Sequence, residues 1–380
     1  MYGSAMRMSQ TPLLVLVFAL GIGTAAAADG SQGITQPQKF KVYDPTAPSC
    51  TAPPALKPVL VFEQDNTRDF MQGVSHGLSS AAKDRGLSYQ IDLADNDANK
   101  MLAAVRARVA DKSGAIVAAP VNPSTLKPGL QELIWAGSYV GTVVPPPAIT
   151  LLNAPQYETG QKLAEAAAKY IQTKLGGKAN VVLLTHDNLQ FLAPRFVAMR
   201  DVLATLPGVT IIADITPSTI DRQGGTDTMN TILLSNSQVD VVLGADTVVL
   251  GALDALKANR KATPNQFLGG IDGEPDAVAE IKKTDSPYKA SISLASPIFG
   301  YAMGQQAADW LQGKSIPQAM DILPISLTKE TMAEYDTDTA NPAAVYADPL
   351  KRSHYLRMYG NICYDTRDKY VDFPWSSESQ

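Results

Sequence analysis

Short apolar stretches alternate with amphipathic helical stretches from residue 58 to residue 327, and this rhythm leaves few folds open. Strands are expected at 58–63, 87–94, 114–120, 139–144 and 148–153. Helices fall between them at 69–85, 97–111 and 124–136. A second cycle continues with strands at 180–185, 209–214, 239–244 and 267–272. Its helices are expected at 155–175, 194–206, 225–235 and 247–259. Helix 276–283, strand 288–295, helix 298–312 and strand 319–327 close the regular part. Strands connected through helices pair in parallel by right-handed crossovers. Near-continuous Val, Ile and Leu within the strands require cover on both sheet faces. Two successive series in 380 residues also exceed what a single core holds. The expected fold class is therefore α/β, with two similar lobes built on parallel sheets.

The flanking segments have a different character. Arg7, an apolar run from Pro12 to Gly23 and the small residues before Asp29 have the layout of a secretory signal peptide over 1–28. A leader over 29–56, rich in Pro, Gln, Ser and Thr, follows and shows no period. Residues 328–380 contain eight Tyr, Trp and Phe, again without a clear period. This C-terminal extension is too long for a linker and is expected to pack on a lobe. Export makes a disulfide between the two cysteines, Cys50 and Cys363, the default expectation. Two unpaired buried thiols are the alternative.

Several function classes are disfavoured. Net charge is −5 and no run of Lys or Arg exceeds two residues, so no nucleic-acid footprint exists. His76, His186 and His354 stand at no metal-ligand spacing from one another or from the cysteines. Neither a nucleophile elbow, a phosphate loop nor a zinc-protease helix motif is present. No metal or cofactor is expected, and the chain is not expected to be an enzyme. His76 and the helix residues Trp135 and Trp310 are expected to serve packing or the surface.

Strand carboxyl ends are where ligands meet open α/β sheets. The first offers Asp65, Arg68 and Phe70, the third Asn122, and the strand at 180–185 offers His186, with Arg195 on the next helix. Asp246 follows the strand ending at Gly244, and Asp272 sits among glycines in "LGGIDGEPDA". Carboxylates, amides and a guanidinium beside an aromatic ring suit a neutral polyhydroxy ligand, whose hydroxyls both donate and accept. Each residue also has a structural alternative. Asp272 and Asp246 both stand where an Asp caps a helix, Phe70 where an apolar residue joins the core, and Arg195 could be an exposed helix residue.

The order of elements, with "GADTVVLGALDALKANRK" (244–261), "FLGGIDGEPDAVAEIK" (267–282), "RFVAMRDVLATLPGV" (195–209) and "YETGQKLAEAAAKYI" (157–171), resembles periplasmic solute-binding proteins of the ribose/galactose-binding type, the sugar-binding components of ABC transporters. The resemblance spans about residues 57–327. It implies the type I periplasmic binding protein fold, with two lobes joined by a three-segment hinge and closing over ligand. By resemblance the N-terminal lobe is 57–152 plus 295–322, and the C-terminal lobe is 153–294 plus 323–327. It implies ligand-binding roles for Asp272, Arg195, Phe70 and Arg68, and matches Asp246 to the acid of the family's Asn-Asp pair. Ala245, Leu294, Ile220 and the stretch 145–148 depart from the family pattern, which argues against ribose itself. The implied function is capture of a sugar, polyol or similar small polar solute in the periplasm by a monomer, and delivery to an ABC permease. A sensory adaptor reporting ligand to a membrane kinase or chemoreceptor is the alternative, motivated by the leader and the extension. A hydrolase with paired carboxylates ranks third.

Overall fold

The computed structural model describes residues 39–143, 147–189, 192–369, 375 and 377–379. The expected signal peptide, the first part of the leader and residues 144–146 lie outside the described residues.

β1 (Lys57–Gln64) enters from solvent and is buried from Leu60 onward, as a strand covered on both faces must be. α1 (Asp69–Arg85) buries Met71, Val74, Leu78, Ala81 and Ala82 and stops at Gly86, whose φ of 69° is the left-handed C-cap conformation. β2 (Ser88–Leu93), α2 (Ala98–Ala110), β3 (Ser113–Ala118), α3 (Pro123–Ala136), β4 (Tyr139–Thr142) and β5 (Thr150–Asn153) follow. The second series is α4 (Gln156–Lys174), β6 (Ala179–Leu184), α5 (Ala193–Ala204), β7 (Val209–Ile215) and α6 (Arg222–Ser235). It continues through β8 (Val241–Leu243), α7 (Asp246–Ala258), β9 (Phe267–Asp272), α8 (Pro275–Lys282) and β10 (Tyr288–Ser293). Then come α9 (Ser296–Leu311), β11 (Ala319–Ile322), β12 (Ile325–Leu327), α10 (Met332–Ala340), α11 (Pro342–Ala347), α12 (Pro349–Tyr355) and β13 (Leu356–Tyr359).

Two sheets result. One has the order β13-β11-β5-β4-β3-β1-β2, the other β12-β10-β9-β8-β6-β7. All pairs are parallel except β11 with β13 and β10 with β12. The chain passes between the sheets four times: from β5 to β6, from β10 to β11 and from β11 to β12, which are the hinge segments, and from β12 to β13 through the C-terminal extension. This is the type I periplasmic binding protein fold, two Rossmann-like lobes on a three-segment hinge.

The structure corrects one local expectation. The stretch 319–327 is two strands in different sheets, β11 and β12, because Pro324 has no N–H for a ladder. Leu323 N–H instead donates to the Tyr355 carbonyl at 2.8 Å. The extension, for which the sequence showed no clear period, has regular elements of its own. It holds three helices of nine, six and seven residues and a strand of four. Helices that short complete at most about two and a half turns at 3.6 residues per turn, so little periodicity shows in sequence.

Cys50 and Cys363 form the disulfide, with Cα atoms 5.8 Å apart. Packing between α1 and α9 depends on Gly77, where any Cβ would strike the Pro297 carbonyl and the Tyr301 amide. Trp310, fully buried on α9, donates its indole N–H to Gly137 O at 2.8 Å, and so serves packing as expected.

Candidate functional site

β9 ends at Asp272 in a conformation few side chains adopt. Its φ is 121°, and Gly273 follows at 70°. Such a backbone persists only where surrounding structure holds it, and a buried network does so here. Gly273 N–H donates to Ser291 Oγ at 3.0 Å, and Glu274 N–H to Asp246 Oδ2 at 2.9 Å. Asp246 Oδ2 also accepts from Ser291 Oγ at 2.6 Å, and Oδ1 accepts from Tyr288 Oη at 2.6 Å. Gly270 leaves room for this arrangement, since a Cβ there would meet both the Asp246 carboxylate and the Tyr288 hydroxyl.

Asp246 is therefore fully buried, with both oxygens engaged beneath the turn that presents Asp272. It caps no helix, since Ala245 is the N-cap of α7 and has no side-chain bond. Burial pushes its carboxyl up to about 6 despite the Ser291 and Tyr288 donors. Asp272 does not cap α8 either; Glu274 holds that position without a side-chain bond.

The Asp272 carboxylate is about one-third exposed, with Arg195 Nη1 3.9 Å away. Arg195 lies in the first turn of α5 and is only 8% exposed. Its Nε donates to Gln156 Oε1 at the start of α4, which fixes the guanidinium between two helices. Burial raises the Asp272 carboxyl, while Arg195 and then Arg68 pull it down. Arg68, on the loop after β1 in the other sheet, thus lies within electrostatic reach of Asp272.

His186 follows β6 directly. It is 1% exposed, packs edge-on against Phe196 at 5.9 Å, and neither ring nitrogen has a hydrogen-bond partner. Burial and the nearby Arg195 lower its pKa, favouring the neutral ring. The other rim is more open. The Arg68 side chain is 60% exposed and pairs with Asp65 at 3.1 Å. Phe70 is half-buried, its ring 5.7 Å from that of Phe299. Asn122 is exposed and caps α3 by accepting from Thr125 N–H at 3.0 Å.

The structure thus brings Asp272, Arg195 and His186 together, with Arg68 in electrostatic reach and Asp246 as their foundation. Phe70 stands two residues beyond Arg68 on the facing lobe, and Asn122 has no hydrogen bond to the others among the described residues. Sequence reasoning missed Gln156, Tyr288 and Ser291, because ordinary polar residues at helix starts and strand interiors carry no local signal. It also passed over Glu274, although that residue lies inside the quoted glycine stretch. Burial, then Asp246, Asp272 and Asp69, push its carboxyl up to about 7.

Chemically, the cluster offers a carboxylate acceptor, a buried guanidinium donor and a neutral imidazole. Among the described residues no group of three or more His, Cys, Asp or Glu could hold a metal ion. Two α/β lobes with polar groups converging on their strand ends define a ligand-binding protein.

The comparisons with known proteins give that class its family. The periplasmic binding protein domain family matches residues 59–315, and the chain belongs to it. Membership places the chain among binding proteins, not enzymes. The ribose import binding protein RbsB of Bacillus subtilis (strain 168) is 26% identical over 259 residues, covering 66% of this chain and 80% of the relative. An ABC transporter solute-binding protein from Bacillus halodurans C-125, solved with bound myo-inositol, superposes with a TM-score of 0.63 at 19% identity. That match covers 75% of this chain and 99% of the other. A periplasmic ribose ABC transporter protein from Conexibacter woesei DSM 14684 gives 0.64 at 21% identity, covering 75% and 96%.

Proposed function

We propose that this chain is an exported solute-binding protein that captures a sugar or polyol between its lobes and delivers it to an ABC permease. The observation that carries this reading is the pre-assembled Asp272–Arg195 pair at the end of β9, with Arg68 facing it from the other lobe. A hydroxyl between Asp272 and Arg195 donates to one and accepts from the other, which water-exposed pairs do less effectively. His186 adds a nitrogen acceptor or donor within the same buried surround. Phe70, Asn122 and Asp246 complete the proposed site, the first two as contacts and Asp246 as the residue that positions Asp272. The lobes are 57–152 plus 295–322 and 153–294 plus 323–327, and ligand stabilises their closed arrangement. The protein acts as a periplasmic monomer. Printed descriptions of the relatives name ribose import and bound myo-inositol, which supports a polyhydroxy solute and does not favour the sensory-adaptor alternative.

The test is a thermal-shift screen over pentoses, hexoses and inositols, paired with mass spectrometry of solute carried through native purification. A hit that raises Tm in the native protein and is lost in Asp272→Ala and Arg195→Ala is expected. Absence of any carried solute and of any shift across the panel overturns the reading. Delivery is checked separately: the loaded protein should stimulate ATP hydrolysis by the reconstituted permease complex more than the empty one.

A further inference from the structure

The C-terminal extension is itself the fourth passage between the sheets, from β12 to β13, and it grips each of the other three. At the first, the N–H groups of Tyr157 and Glu158, in the opening turn of α4, donate to the Glu378 carboxylate at 3.2 and 2.7 Å. At the second, Tyr335 Oη lies 2.5 Å from Ser293 Oγ, the last residue of β10. That Oγ also accepts from Ala295 N–H at 3.1 Å, where the crossing backbone turns left-handed with φ 32°. At the third, Leu323 N–H is held by the carbonyl of Tyr355.

The extension is also anchored on both lobes. Asp336 on α10 pairs with Lys282 on α8 at 3.0 Å. β13 extends the other sheet through β11, and Tyr346 on α11 packs 5.8 Å from Tyr301 on α9. Its parts are tied together by the buried Asp338, which accepts from Lys351 Nζ at 2.7 Å and Tyr355 Oη at 3.0 Å. The disulfide then pins it to the leader, whose Cys50 N–H donates to Gly313 O at 2.6 Å.

Hinge motion concentrates backbone rotation in a few residues. An element that spans both lobes and is bonded to each of the other three crossings opposes that rotation. We propose that the C-terminal extension is a hinge brace, setting how far and how readily the two lobes move. This rests on the reading that the lobes move about these crossings, and not on which solute binds. Tyr335 and Glu378 are its contact points with the second and first crossings.

The experiment compares the native full-length protein with Tyr335→Phe, Glu378→Ala and the double variant, all with the disulfide intact. Spin labels introduced as a non-natural amino acid at the exposed positions Glu132 and Lys174 report inter-lobe distance without ligand. Amide hydrogen exchange at Tyr157, Glu158, Ala295 and Leu323 reports the crossings. Loss of one hydrogen bond should speed local exchange about fivefold, from a contribution of about 1 kcal/mol. The double variant should also broaden the inter-lobe distance distribution beyond either single variant. Faster exchange with an unchanged distance distribution overturns the brace, because the bonds would then be local only. Unchanged exchange overturns it too. Should Tyr335→Phe fail to fold, Glu378→Ala, at an exposed position, carries the test alone. Since no ligand is present, failure of the solute screen leaves this result standing, and the reverse also holds.

Discussion

The two sides of the proposed site are built on different principles. On the lobe of β6 to β10, the charged and polar groups are buried within the lobe itself: Arg195 at 8% exposure, His186 at 1% and Asp246 at zero. On the facing lobe, Arg68 and Asn122 are exposed, and each already has a local partner, Asp65 and Thr125. Folding has therefore desolvated and aligned one half of the proposed site before any ligand arrives. The other half stays in water and can adjust its side chains. Substitutions on the buried rim should disturb stability and binding together, while those on the open rim should disturb binding alone.

The broadest challenge to that contrast is the covalent pin, which belongs to the open-rim lobe. Replacing both cysteines by serine releases a link spanning 313 residues and should cost up to about 5 kcal/mol in the chain-entropy account. Chemical denaturation measures it, and limited proteolysis should then cut first within the extension.

Asp246→Ala comes next, with a loss of about 2–4 kcal/mol, since Tyr288, Ser291 and the Glu274 amide are left without their acceptor in the interior. A loss confined to ligand affinity, with Tm unchanged, would break the distinction between the rims.

Glu63 sharpens the comparison from the other side. It is fully buried on β1, and burial, then the neighbouring Asp92, push its carboxyl up to about 9. The folded pKa exceeds the unfolded one, so its contribution is fully present below about 4.5 and is lost as pH rises through about 9. Glu63→Leu should match the native protein near pH 4 and gain about 3 kcal/mol by neutral pH. Denaturation midpoints at about pH 5, 7 and 9 give the slope; a parallel pair of curves refutes the assignment.

The smallest effect is expected from Arg68→Ala. Its ion pair is largely solvated, so stability should move by less than about 0.5 kcal/mol. Ligand affinity, read by calorimetry with a hit from the solute screen, should still fall. A large drop in Tm would show that the open rim is structural after all.

The fold was legible in the sequence wherever a strand had to be apolar on both faces, as in β1, β3 and β9. Hydropathy alone read β11 and β12 as one continuous strand across Pro324; the division between them came only with the family resemblance, whose lobe boundary falls between 322 and 323. The extension was opaque for a related reason: its elements are shorter than the window in which period becomes visible. Within the site, Asp272 announced itself through its glycines and Arg195 through the family pattern. The place of Asp246 could not be read, since its side-chain partners lie 42 and 45 residues away and meet it only when β10 docks beside β9.

A last consequence concerns the outer margin of the first sheet. β13 covers β11, and the leader in turn covers β13: Tyr43 N–H donates to Met358 O at 3.0 Å, and Gly360 N–H to Lys41 O at 2.7 Å. An open strand margin is a template on which another chain can add itself. Here both segments that lie outside the two-lobe pattern fill that template, so this side of the molecule is closed to edge-to-edge polymerisation.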